Sequence, residues 1–402
     1  MELRQNPNTE SEAPSAGAGR SHCTLRLFGF TISGRIVGIV CLMTVCAILV
    51  AGLFPFCAPR NQVAWVNGEN AVRFGKYGTA VSSGRLDFPL LNGACSLEVW
   101  LQPARTWATG SLLTFYDASS RRQFVVKQDL SDLALSWEEG GGRLLHFSES
   151  RLLVPDVFRK QQAFLSVTSD GDETLVYIDG QLALRSPGFR FSLQDLSSRL
   201  ILGDSALRNR SWSGKLRGVA IYGSALDAAQ VAQHYRDWTQ RGAPVSDKAE
   251  LPLAVYLFQE QRGSTIHSSV PSGVELEIPK RFVVVDQLLL ESPIAETQTE
   301  QNYLNDVLIN VAGFIPLGFV LSLYFTAIRK MKRAGLSAIV VGMAVSFAIE
   351  YFQAFLPTRY SGWTDLLTNT IGTAIGVALY KMVALIAARK EWVGPSRTQP
   401  IQ

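Results

Sequence analysis

The chain is poor in the residues that most enzymes depend on. It has four histidines and five cysteines in 402 residues, and the cysteines form no CxxC pair and no metal-ligand spacing. There is no hydrolase-type order of Ser, His and Asp and no glycine-rich phosphate loop, so no particular chemistry is written in the chain. His22 lies in the N-terminal tail and His146, His234 and His267 in the middle stretch, which removes histidine chemistry from the apolar segments. A dominant charge is lacking too. The net charge is +4, and residues 60 to 303 carry 25 Lys and Arg against 27 Asp and Glu, so a nucleic-acid partner has no basic surface to rest on.

What the chain has instead is apolar length. Hydrophobic residues make up 47% of it, high for a soluble protein. A run from about 36 to 58 follows Arg35 and is bounded by Pro55 and Pro59. It is about as long as a bilayer span (~20 residues) and longer than a signal-peptide core. It reads as an uncleaved anchor (34–58), with a cleaved signal as the alternative. Cys41 and Cys46 inside it pack as small hydrophobes. Three further spans cover Leu304 to Ile328, Gly335 to Leu356 and Leu366 to Ala388. Arg329, Lys330, Lys332 and Arg333 separate the first two of these, and the positive-inside rule makes that loop cytoplasmic.

The expected architecture is a four-span α-helical membrane bundle in the cell (inner) membrane, with both termini cytoplasmic and residues 60–303 extracytoplasmic. Residues 1–33 read as a disordered tail and 389–402 as a second cytoplasmic tail. Lys381, near an inner helix end, can snorkel to the surface. Cys57 and Cys95 would share the oxidising side, and whether they pair stays open.

Polar residues sit at helical spacing at the outer ends of these spans. Asp306 and Asn310 are four apart, Asp365 and Asn369 are four apart, and Glu350 and Gln353 are three apart, so each pair shares a face. Arg359, in the loop after Leu356, is the one basic residue outside the 60–303 stretch expected to face out. Ionisable groups in a bilayer are costly, so several at one depth mark a site or a buried network. Three readings are open: a satisfied network holding helices in register, a binding site for an envelope lipid head group or glycan with Arg359 recognising an anionic group, and an enzyme using Asp306, Glu350 or Asp365 as acid or base. Gly372 and Gly376 make a helix-packing seam, and Pro316 is expected to kink its helix.

From 60 to about 245 the texture changes to short alternating runs: Leu97 to Leu101, Gln123 to Val126, Leu133 to Trp137, Ala163 to Thr168 and Leu175 to Ile178. Such spacing predicts an all-β antiparallel sandwich. Asp179-Gly180 supplies the positive φ angles of a two-residue hairpin between Tyr177 and Leu182. One helix is expected over Asp227 to Trp238. The segments Cys95 to Pro103, Phe164 to Gly171, Tyr177 to Leu182 and the close at Trp212 to Leu216, Ala220 to Tyr222 and Ala225-Leu226 resemble the laminin-G/concanavalin-A-like (LamG) jelly roll. Leu253 to Glu260 resembles that fold's opening strand although it follows the closing helix, so it is expected to pair into the sandwich in permuted order within a 246–303 return segment. Residues 291 to 302 are polar and form the approach to the bilayer.

The series Asp306-x-x-x-Asn310-x-x-Gly313-Phe314-x-Pro316-Leu317-Gly318, Glu350-x-x-Gln353 and Pro357-x-Arg359-x-Ser361-x-x-Asp365-x-x-x-Asn369-x-x-Gly372-x-x-x-Gly376 resembles the VanZ-like membrane family over 304–388. That resemblance implies envelope biology and a link to teicoplanin-type glycopeptide resistance, without a defined reaction. Partners expected are the lipid bilayer and an envelope glycan, lipid head group or protein. Trp107, Trp137 and Trp212 are candidates to stack on sugars, with core packing as the alternative. No cofactor is expected. Calcium held by Asp87, Asp117 or Asp204 lacks a dense run of oxygen ligands. No Glu-x-Asp-x-Glu run of the paired-carboxylate glycosidases is present.

Overall fold

The computed structural model describes residues 24–27, 30–89, 93–140, 151–245, 248–271, 273–291 and 303–392. Contacts divide the chain into two units, one of residues 1–48, 311–343 and 370–402, the other of residues 49–310 and 344–369.

The second unit contains two eight-stranded antiparallel sheets. The first sheet runs β10-β9-β8-β7-β14-β5-β18-β17, made of Arg151–Val154, Asp132–Glu139, Arg122–Leu130, Ala108–Asp117, Arg199–Leu202, Ala80–Ser82, Leu276–Glu277 and Thr265–Ile266. The second runs β13-β12-β11-β6-β15-β4-β3, made of Gln181–Ser186, Thr174–Ile178, Ala163–Ser169, Cys95–Pro103, Gly214–Tyr222, Val72–Phe74 and Val63–Trp65, and its eighth strand, β16 (Pro252–Tyr256), pairs with β15 off this path. Alternation drives the layering. In β6, Cys95, Leu97, Val99 and Leu101 enter the main core with Phe74, Phe115, Phe124, Phe158 and Trp212. The opposite face of the same sheet is covered as well. Helix α3 (Ala228–Arg241) lays Val231 and Trp238 on Phe164, Tyr177, Ala220 and Tyr222. Its start is fixed by Asp227, whose carboxylate accepts from the amides of Ala229 and Gln230 while Gln230 returns a bond to the Asp227 amide. The one-turn helix α2 spans Leu193–Leu196. Asp179 and Gly180 adopt φ of 53° and 79°, the expected hairpin turn.

The return strand pairs as expected. β16 (Pro252–Tyr256) lies antiparallel to β15, with Val219 opposite Tyr256 and Ala220 opposite Val255. β4 pairs with Gly214 to Leu216 of the same strand, while β6 follows its other edge from Gly214 to Tyr222. β4 and β16 therefore divide one edge of β15 between them. A segment late in the sequence supplies the second half of a row that an early strand begins.

Two expectations need correction. The tail expected to be unstructured to residue 33 contains a hairpin, β1 (Thr24–Leu27) with β2 (Phe30–Ser33), its alternation of Leu25, Leu27, Phe30 and Ile32 hidden in a polar composition. Helix α1 (Gly34–Leu53) stops five residues before 58, since Pro55 disfavours helix at the residue before it. Cys57 is exposed and Cys95 buried, and both are free thiols. The expected polar approach beyond Glu291, the tail before Thr24 and the tail after Trp392 lie outside the described residues, as does His146.

Four helices are long and apolar enough to cross a membrane: Gly34–Leu53, Leu304–Ile328, Ala334–Gln353 and Trp363–Arg389. The last three belong to α4 (Tyr303–Leu323, extended by a π turn to Ile328), α5 (Ala334–Gln353) and α6 (Trp363–Trp392). In the first unit the glycine seam is confirmed. A Cβ on Gly372 would collide with the Val311 carbonyl, one on Gly376 with the Ile315 carbonyl, and one on Gly318 with the Thr373 carbonyl. Without side chains at these positions, α4 and α6 approach to backbone contact. Phe319 and Tyr380 pack edge to face beside the seam. The helix runs through Pro316 as one element.

Candidate functional site at the helix ends

All seven polar residues singled out in the spans fall in the second unit. Glu350 and Gln353 occupy the last turn of α5. Glu350 is 1% exposed, and its Oε2 accepts the Gly362 amide at 2.8 Å. Gly362 immediately precedes α6, so this carboxylate sits where a helix N-terminus favours negative charge. Gln353 donates to the Gly52 carbonyl at 2.9 Å. Arg359 donates Nε to the Phe54 carbonyl at 2.9 Å and Nη2 to the same oxygen. Both therefore satisfy carbonyls at the exit of α1, which have no partner within that helix.

The other residues join α4, α5 and α6. Asn310 donates to Asp365 Oδ1 at 2.6 Å, and Asn369 donates to Ser346 Oγ at 2.9 Å. Asp306, exposed one turn before Asn310, lies near enough to Asp365 to repel it. Asp365, with Asn310 donating to it and the Asp306 charge acting on it, offers an acceptor-rich group that can bind hydroxyl or ammonium donors.

A strap from Phe282 to Glu291 ties the sandwich to these helix ends. The Asp286 carboxylate accepts from Arg121 Nε and Nη2 at 2.9 and 2.7 Å and from the Tyr116 hydroxyl, and its amide donates to the Ala206 carbonyl at 2.8 Å. The next residue turns the other way. Gln287 Nε2 donates to the carbonyls of Gln353, at 3.2 Å, Leu356, at 2.9 Å, and Arg359. Glu291 then pairs its backbone with Ser361 and Trp363, while its carboxylate meets Arg208 Nε at 2.8 Å. Tyr360 completes the connection by donating to the Asn209 carbonyl at 2.6 Å.

Two family models match the chain: VanZ/LLP1 over residues 253–385, and a laminin-G type described as the concanavalin A-like lectin/glucanases superfamily over 74–232. The chain joins a VanZ-like domain to a concanavalin A-like domain. No curated protein matches it. Solved structures similar to it include a Bacteroides ovatus protein with a proposed carbohydrate-binding role, at 12% identity and TM-score 0.35, covering 55% of this chain and 58% of that one. The CBM40 of a Ruminococcus gnavus IT-sialidase is similar at 13% identity and TM-score 0.29, covering 38% and 91%. Mouse laminin alpha1 domains LG4-5 are similar at 15% identity and TM-score 0.31, covering 43% and 46%. The chain spans about half the length of the first solved structures it matches, 58%, 47% and 45% in turn.

The VanZ-like match opens on β16, so its first residues build both sheets of the sandwich and the strap before the long apolar helices begin. In the concanavalin A-like domain, Trp212 is 1% exposed and donates to Gln128 Oε1 at 2.9 Å, and Trp137 packs on Phe124 under Arg122. Trp107, 62% exposed on the turn before β7, is the one of the three sugar-stacking candidates left open. Asp204 is buried, with Oδ1 accepting the amides of Ser205 and Arg210 at 2.9 and 2.7 Å. Asp117 accepts from Ser119 and Ser120, and Asp87 faces Arg85. Among the described residues no three His, Cys, Asp or Glu side chains group to hold a metal ion.

Sequence reasoning missed a charged cluster beneath α3. His234 Nδ1 meets Glu98 Oε1 at 3.0 Å and its Nε2 meets Glu250 Oε2 at 3.2 Å. Glu98 also accepts from Tyr222, at 3.1 Å, and Trp238, at 3.0 Å. Burial alone would push the imidazole down, but the bond to Glu98 and the charges of Glu98 and Glu250 together hold it above its usual range.

Proposed function

We propose that this chain is an envelope membrane protein whose extracytoplasmic sandwich captures a carbohydrate-bearing ligand and presents it to the acidic pair Asp306 and Asp365. The observation that carries this reading is the strap. Asp286 and Gln287, adjacent in sequence, fasten the sandwich and the α5–α6 turn to one short segment. Exposed Trp107 supplies a stacking face for a sugar ring. The carboxylates supply acceptors for hydroxyls of a glycan or glycolipid head group, and the reading needs no cofactor. Glu350, Gln353, Arg359 and Asn369 serve as its frame, through the backbone and helix bonds they make.

The test uses the full-length protein in lipid nanodiscs on an array of bacterial envelope glycans. Retention of a glycan that Trp107→Ala weakens at least tenfold, with unchanged thermal stability, supports the reading. No retention of any glycan, or retention indifferent to Trp107→Ala, overturns it. Asp306→Asn and Asp365→Asn test the second half through copurified lipid, since loss of a lipid-linked species from both variants is expected. The paired carboxylates also favour a second reading, an enzyme acting on that lipid, and a mass change in the retained species would select it. A role in glycopeptide resistance predicts a raised teicoplanin tolerance on expression that Asp365→Asn removes.

A further inference from the structure

A second cavity belongs to the first unit and is lined by none of the residues of the candidate site. The ends of α4, α5 and α6 border an open cavity of about 650 Å³ lined by Lys332, Arg333 and Lys381 together with Leu336, Tyr380 and Leu385. Its chemistry is lopsided. From 311 to 343 and from 370 to 390 the chain contains no Asp or Glu. No described carboxylate makes an ion pair with any of the three cations.

All three cations are exposed, and Lys381 also lies against α5. A Cβ on Gly335 would lie 3.4 Å from Lys381 Cε and 3.5 Å from Nζ, so the ammonium rests over the first turn of α5. The amides of that turn lack helical acceptors, and the helix end carries positive partial charge. Placing an ammonium there is unfavourable until an anion joins it. Snorkelling would satisfy Lys381 by carrying its charge to water, yet this geometry aims it at a second positive centre beside Arg333.

We infer that this cavity binds the phosphate of an anionic membrane lipid, with Lys381, Arg333 and Lys332 around the phosphate and the acyl chains along Leu336 and Leu385. Phosphate is the shared chemistry of a lipid head group and a free anion. The apolar part of the lining and the second cavity on α6, of about 420 Å³ between Lys381, Met382, Leu385 and Arg389, commit the site to a lipid. The basic loop thus has a binding role in addition to setting orientation by the positive-inside rule.

The test is thermal melting of the full-length protein in detergent micelles with added phosphatidylglycerol, phosphatidylcholine or inorganic phosphate. Phosphatidylglycerol alone is expected to raise the melting temperature. Lys381→Gln and Arg333→Gln are each expected to weaken its apparent affinity by roughly fivefold, while Lys381→Arg retains it. Lys330→Gln, in the same loop but outside the lining, separates a built site from general basicity: it should leave the affinity unchanged. Equal shifts with phosphatidylcholine, an equal shift with inorganic phosphate, or a loss in Lys330→Gln as large as in Arg333→Gln would each overturn the inference. If Lys381→Gln melts too low to compare, the Arg333→Gln and Lys381→Arg pair decides.

Discussion

Replacing His234 by Leu removes the cation that lies between two buried carboxylates. Glu98 is fully buried and Glu250 is 6% exposed. After the change Glu98 keeps Tyr222 and Trp238 as donors, and Glu250 keeps Gln230 at 3.2 Å, but both lose the imidazolium between them. Breaking a buried pair from one side costs about 3–5 kcal/mol. For a domain of this size each kcal/mol moves the melting temperature by about 2–4 °C, so a fall of roughly 6–20 °C is expected. The pH dependence adds a signed test. The folded imidazole titrates above its unfolded value near 6.5. Its contribution is therefore fully present below that unfolded value and is lost as pH rises through the folded one. Melts of the full-length protein in micelles, followed by tryptophan fluorescence, should show the gap between wild type and His234→Leu narrowing from pH 6 to pH 9. A gap under about 1 kcal/mol, or one that widens toward pH 9, would refute the assignment of a charged imidazole.

Two other substitutions probe the rest of the frame. Gly376→Val forces a side chain into the Ile315 carbonyl and should cost at least about 1–3 kcal/mol, whereas Gly313→Val, with nothing within 4 Å of its Cβ, should cost much less in the same heat-inactivation assay; equal costs would contradict the seam. Burial pushes the Asp204 carboxyl well above the usual range despite the Ser205 and Arg210 amides, so folding favours its protonated form, and its contribution is full below the unfolded value near 3.9 and is lost as pH rises through the folded one. Asp204→Asn imitates that form and should melt at least as high as wild type at pH 8, and a loss above about 2 kcal/mol would show that the ionised acid is required.

Much of the architecture was legible because it rests on local rules. The Asp179-Gly180 turn, the strand alternation, the apolar spans and the glycines four apart each announce a backbone geometry that the structure adopts. The polar residues at the helix ends were legible as a group because acids are so rare in those spans. Their partners were not: Gln353 and Arg359 bind carbonyls at the exit of α1, some 300 residues earlier, and carbonyls leave no mark in a sequence. Glu98 was hidden by its own strand. Ser96, Glu98 and Trp100 alternate with the core residues of β6 and look like a solvent face, and only the packing of α3 turns that face inward. The strap escaped notice because nothing in the letters Asp-Gln says that the two side chains diverge to different elements.

The shared edge of β15 bears on how such a protein can be dissected or inherited. A fragment ending at residue 245 would keep every position of the concanavalin A-like match yet leave Val219 to Tyr222 with unpaired backbone groups on one side, an invitation to aggregate. Surgery that respects the family borders would therefore spoil both halves, and recombination that moved the sandwich to another host would have to carry residues 252–256 with it.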